Sequence, residues 1–144
     1  YFVAPPIVTD ALIRAARRGV QVRLLVPGRN NHPVAGFAAR RIYASLLDAG
    51  IEIYEWSGVM LHAKTAVVDG LVTLVGSSNL DPFSLHRNYE LNLLVGDPET
   101  GRQMRELFAN DLEGATRVDA EEWRRRPRSA RVAEALATFV ASLI

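Results

Sequence analysis

Two apolar periods alternate along the chain. Between Thr9 and Arg18 the apolar residues Leu12, Ile13, Ala15 and Ala16 recur at helical spacing, with Pro5-Pro6 at the start and Gly19 at the end, which predicts a helix. Val20 to Val26 then reads as a buried strand, Pro27 to Pro33 as a polar loop, Val34 to Asp48 as a second amphipathic helix closed by Gly50, and Ile51 to Trp56 as the next strand. Leu61 to Val68 is β-branched enough for a central strand, Asp69-Gly70 is a hairpin dipeptide, and Leu71 to Val75 is the return strand. Leu80 to Arg87 reads as irregular, and Asn88 to Val95 as another buried strand. Glu99 to Leu112 carries Met104, Leu107, Phe108 and Leu112 at helical spacing, and Ala120 to Arg126 and Ser129 to Ile144 read as two further helices separated at Pro127.

Strands and helices that alternate at short spacing predict an α/β fold, with a mixed, largely parallel β-sheet flanked by helices on both faces. A chain of 144 residues with 49% hydrophobic content is sized to bury one core. A net charge of +1 favours neither nucleic acid nor membrane. The absence of cysteine removes disulfides, thiolate chemistry and cysteine-based zinc sites. No apolar run reaches the roughly 18 residues needed to span a bilayer. The opening at Tyr1-Phe2-Val3, without an initiator Met and resembling the end of a strand, reads as a fragment of something longer.

The chemistry concentrates in one stretch, His62-x-Lys64-x4-Asp69-x6-Gly76-Ser77-x-Asn79. Of the 17 basic residues 16 are Arg, and the single Lys is Lys64. A compact ammonium is not interchangeable with a guanidinium at a tight phosphate contact, so its retention here is informative. On a strand, residues two apart share a face, which predicts that His62 and Lys64 point together while Ala63, Thr65 and Val67 face the core. The Lys charge can neutralise a phosphate oxygen in the transition state. Gly76-Ser77-Ser78-Asn79 reads as a sharp turn offering backbone N–H groups and neutral side-chain donors to an anion, a cradle that needs no metal. Asp69, past the end of the strand, fits an orienting or hairpin role. Glu90, next to Asn88, is the better candidate to hold a ring N–H. His32 and His86 read as polar loop residues, and Arg124, Arg125, Arg126, Arg128 and Arg131 as a mixed-charge face or an anionic-headgroup contact.

At these residues the chain resembles the phospholipase D superfamily with its HKD motif. The run from Met60 to Val95 is similar to the second HKD half of bacterial cardiolipin synthases. The helix at Thr9 to Arg18, the strands after Gly19 and Gly50, the Gly76 to Pro82 segment, Asn88-Tyr89-Glu90 and Glu121 to Arg124 extend the resemblance over nearly the whole chain. Phe83 departs from it, standing where many relatives carry Arg.

The resemblance implies a phospholipase D-like α/β/α sandwich over residues 1–116, and a helical tail over residues 117–144 packed on it or on a missing half. It implies metal-independent phosphatidyl transfer without a cofactor, through a phosphohistidine, with two HKD motifs meeting at one site. Carried over by position, His62 is the acid and then the base of the second half, Lys64, Ser77 and Asn79 hold phosphate oxygens, and Glu90 supports a motif His, that of the partner half included. The implied reaction is cardiolipin synthesis from phosphatidylglycerol at the bacterial cytoplasmic membrane, with peripheral contact and with a second HKD half in the same chain or a homodimer mate as partner. A phospholipase D-type hydrolase and a homodimeric nuclease are the alternatives, and the near-neutral charge argues against nucleic acid. With one motif, this chain alone is expected to be an inactive half-site.

Overall fold

The computed structural model describes residues 2–28, 33–127, 129–130, 134 and 136. His32, Arg128 and Arg131 lie outside them, as does most of the helix expected over Ser129 to Ile144 with Val132, Phe139, Val140 and Leu143 of its apolar stripe. Along the chain run α1 (Pro6–Arg17), β1 (Arg23–Pro27), α2 (Pro33–Arg41), α3 (Tyr43–Asp48), β2 (Glu52–Trp56), β3 (Thr65–Val68), β4 (Val72–Gly76), α4 (Pro82–His86), β5 (Asn92–Gly96), α5 (Pro98–Glu113), β6 (Ala115–Arg117) and α6 (Ala120–Arg124).

The strands form two three-stranded sheets, β1-β2-β6 and β3-β4-β5. The class is mixed α/β, with sheets flanked by helices. β1 and β2 run parallel with Leu24 opposite Ile53, whereas β2–β6, β3–β4 and β4–β5 are antiparallel. The parallel share is therefore smaller than expected. A parallel pair needs a long crossover, which α2 and α3 supply between β1 and β2, while the Asp69-Gly70 turn folds β3 straight back onto β4.

Local chemistry explains the boundaries. Pro6 opens α1, and Gly19 (φ 93°) and Gly50 (φ 84°) close α1 and α3, where Val20 N–H and Ile51 N–H reach back to the carbonyls of Ala15 and Leu46 at 3.2 and 3.0 Å. The helix expected over residues 34–48 is interrupted at Ile42, whose N–H bonds Ala39 O at 3.4 Å in a tightened turn before Tyr43 and Leu46 are buried. The segment expected to be irregular contains α4, because Asp81 is an N-cap accepting from Ser84 N at 2.8 Å and Pro82 fills the first helical position. The strand β6 was not expected, since three residues carry too little periodicity to register.

The buried core lies on the first sheet: Phe2, Ala4, Val26, Tyr43, Leu46, Ile51 and Ile53, with Val8, Leu12 and Ile13 of α1 packed against it. Trp123 of α6 packs at 5.0 Å, tilted, on Tyr43, and Arg126 lies 3.3 Å over the Trp123 ring. The second sheet is built differently. Both β3, expected to be central, and β5, expected to be buried, are edge strands with largely exposed side chains, and β4 is central. The helix α5 packs against β3 and β4 of one sheet and against β2 and β6 of the other, tying the two together.

Candidate active site

The β3–β4 hairpin has two functional ends. At its turn Asp69 (φ 54°) and Gly70 (φ 66°) both adopt the left-handed conformation that a two-residue turn between twisted strands requires, and Leu71 N–H closes it on Val68 O at 3.0 Å. The amino end of α5 seats on this turn. Asp97 N–H donates to Leu71 O at 3.0 Å, and a Cβ on Gly101 would collide with the Gly70 carbonyl. Asp69 is thus a turn residue, five positions and about 17 Å along the strand from Lys64.

The other end holds the remaining motif residues. The ladder begins at Thr65, so His62 and Lys64 lie on the irregular lead-in and not on a strand running from Leu61 to Val68. One further bond, Gly76 N–H to Lys64 O at 3.0 Å, carries the pairing up to Lys64. Lys64 Nζ donates to the His62 carbonyl oxygen at 2.8 Å. The ammonium is therefore fixed beside His62 by this bond and not by strand alternation. His62 is exposed and Lys64 half-buried; Ala63 and Thr65, expected to face the core, are exposed too.

Gly76 is where β5 comes closest. A Cβ there would meet Leu91 O at 2.6 Å and run into the Asn92 side chain, so no other residue fits without moving β5. That proximity also changes how the turn offers hydrogen bonds. Ser77 N–H donates to Leu91 O at 3.0 Å and Ser78 N–H to Asn92 Oδ1 at 3.4 Å, while Asn92 Nδ2 donates to Ser78 Oγ at 2.6 Å. Two of the backbone donors expected to face an anion, those of Ser77 and Ser78, are taken by the neighbouring segment, and that of Gly76 by Lys64 O. What this end can offer an anion is the Lys64 ammonium and the side chains of His62, Ser77 and Asn79.

Glu90 is joined to this group. Its carboxylate accepts a short hydrogen bond from the Ser77 hydroxyl and one at 3.4 Å from Asn88 Nδ2, while Leu91 N–H donates to Ser77 Oγ at 3.0 Å. The Ser77 bond foremost, then the nearby Ser84 hydroxyl, Asn88 and the Lys64 charge, holds the Glu90 carboxyl below the ordinary carboxylate range. Ser84 itself is buried, and its hydroxyl acts on Glu90 as a polar neighbour without forming a hydrogen bond of ordinary geometry. Neither Asn88 nor Glu90 is on a strand, since β5 begins only at Asn92. The structure thus gathers His62, Lys64, Ser77, Asn88 and Glu90 at one end of the hairpin, with Asn79 in the same turn, and leaves Asp69 at the other.

A match to the family model described as "Cardiolipin synthase, PLD-like domain" covers residues 1–112. The chain belongs to this family. Cardiolipin synthase A of Yersinia pseudotuberculosis is 36% identical over 144 residues and that of Cronobacter sakazakii 37%, in each case across all of this chain and 30% of the relative. The chain therefore spans under a third of the length of these cardiolipin synthases. The crystal structure of Nuc from Salmonella typhimurium, a phospholipase D family member, shares the fold with a TM-score of 0.69 at 23% identity, covering 80% of this chain and 75% of that one.

In this phospholipase D-like domain sequence reasoning passed over two partners. Asn92 holds the Ser78 side chain, and Ser84 sits buried beside Glu90. The Asp81-Pro82 cap signal was the one available clue to Ser84, because it fixes the start of α4. For Asn92 no signal existed, since the register of β5 on β4 places it.

Proposed function

We propose that this chain is the second catalytic half of a phosphatidyltransferase that makes cardiolipin from phosphatidylglycerol. A histidine of the other half attacks phosphorus, forming a P–N bond as the P–O bond to glycerol breaks, and His62 gives its proton to the departing glycerol oxygen. The hydroxyl of a second phosphatidylglycerol then loses its proton to His62 and attacks phosphorus, breaking the P–N bond. Lys64 and Asn79 hold phosphate oxygens, and Ser77 joins them by turning its proton from Glu90 to the phosphate. Glu90 and Asp69 act as positioning groups, Glu90 through Ser77 and Asp69 through the turn. The transfer uses histidine in place of a metal or cofactor.

The observation that carries this reading is the chain's one lysine, its ammonium tied at 2.8 Å to the backbone of His62 and acting electrostatically on Glu90. The exposed apolar residues of β5 and its approach, Leu91, Leu93 and Leu94, support a second HKD half of the full-length protein as the partner that completes the site. Residues 1–116 form the HKD domain, the segment that follows belongs against it or against the missing half, and membrane contact is peripheral.

His62→Ala in the full-length protein is the test. Cardiolipin formation from phosphatidylglycerol is expected to fall by at least about a thousandfold, with the melting temperature kept. Undiminished synthesis refutes the proposal.

A further inference from the structure

A cavity of about 140 Å³ opens at the carboxyl ends of the parallel pair β1–β2, where ligand sites form in open α/β sheets. Gly28 marks its base: its N–H donates to Trp56 O at 3.2 Å, and a Cβ there would meet that oxygen at 2.7 Å. Phe2, Val26 and Phe37 line one part of it, Arg40 and Tyr43 another. Arg40 grips Glu55 through Nε and Nη2, each at 3.2 Å, which leaves Nη1 outside the pair. Burial, then the Glu55 carboxylate, pushes the Tyr43 phenol up, so it stays a hydrogen-bond donor.

Stability does not account for this polar group. A half-exposed ion pair contributes little, and apolar residues of similar size would fill the same space. One lining residue ties the cavity to the motif turn: Phe2 pairs in a parallel bridge with Leu80, the neighbour of Asn79. Its volume takes a three-carbon polyol.

We propose that this cavity binds the glyceryl headgroup of a phospholipid, with Arg40, held in place by Glu55, and Tyr43 meeting its hydroxyls and Phe2 and Phe37 covering its carbons. The inference rests on phosphatidyl transfer at His62 and Lys64, and it adds Arg40 and Tyr43 as specificity-determining residues outside the motif, with Glu55 positioning Arg40.

The test uses the full-length protein with Ala39→Leu, which fills the cavity from α2 with a good helix former, and Arg40→Met, which removes the polar fork. Each is compared with wild type on phosphatidylglycerol and phosphatidylethanol as donors, and on glycerol and ethanol as acceptors. Expected is a loss of at least tenfold confined to glyceryl substrates and expressed in KM, with ethyl substrates within twofold of wild type. A loss in headgroup release assigns the cavity to the donor, and a loss in capture assigns it to the acceptor. Equal losses on glyceryl and ethyl substrates, or none on glyceryl ones, overturn the proposal. If wild type cleaves neither donor, the phosphatidyl-transfer reading fails. Saturable binding of radiolabelled glycerol, present in wild type and absent in Ala39→Leu, then decides the cavity: its presence upholds a glyceryl site and its absence ends it.

Discussion

The two sheets of this molecule divide the labour of a fold. In β1-β2-β6, Ile53 is fully buried and Val26 nearly so, and helices α1 and α3 close over them. In β3-β4-β5, Leu93 and Leu94 are 63% and 68% exposed although they are adjacent on one strand and so point to opposite faces. The first sheet is where apolar area leaves water and stability is generated. The second carries His62 and Lys64 at one end of its hairpin and keeps apolar surface available. A sheet that must present chemistry, and on the proposal a partner surface, cannot also be the sealed core.

The largest effect should separate the sheets directly. Ile53→Ala is expected to cost about 2 to 5 kcal/mol in urea unfolding, whereas Leu94→Ala should stay within about 0.5 kcal/mol. Comparable losses would mean that the second sheet is sealed after all. Next in size is Gly76→Ala, expected to cost about 1 to 3 kcal/mol because the new Cβ meets Leu91 O at 2.6 Å. An unchanged urea midpoint would show that β5 yields without penalty.

A smaller change should come from the cap that anchors α5 to the hairpin turn. Asp97 accepts from Thr100 N at 2.7 Å, and Asp97→Ala should cost about 1 kcal/mol. Hydrogen exchange should accelerate first at Leu71 and Thr100; exchange that stays slow there would place the junction's stability elsewhere.

The smallest effect is a titration. In the folded protein Glu90 should lose its proton below the ordinary 4.5, and Ser77→Ala should move its midpoint upward, as read from the side-chain carboxyl carbon by NMR. Because the folded pKa is depressed, the contribution of this contact is fully present above the unfolded value and is lost as pH falls through the lower folded one. A Glu90 midpoint unmoved by Ser77→Ala would detach it from the cradle.

Much of this was legible in the sequence. The α1 and α5 periodicities, the Gly19 and Gly50 helix ends and the Asp69-Gly70 turn are set by neighbours a few residues apart, so local physics reports them. The motif was legible for the same reason, since eighteen consecutive residues hold all six of its identities. Edge and centre were not legible. An apolar β-branched run reads the same on β3 as on a central strand, and only the pairing order decides which it is.

The sequence by itself determined that His62, Lys64 and the Gly76 to Asn79 turn occur together, because short-range spacing along a hairpin is a property of the chain. Only the tertiary structure decided that β5 takes the N–H groups of Ser77 and Ser78, and that Ser77 binds Glu90. The contacts of Ser77 and Ser78 link residues 13 and 14 positions apart through the register of β5 on β4, and register is chosen by which strands find one another.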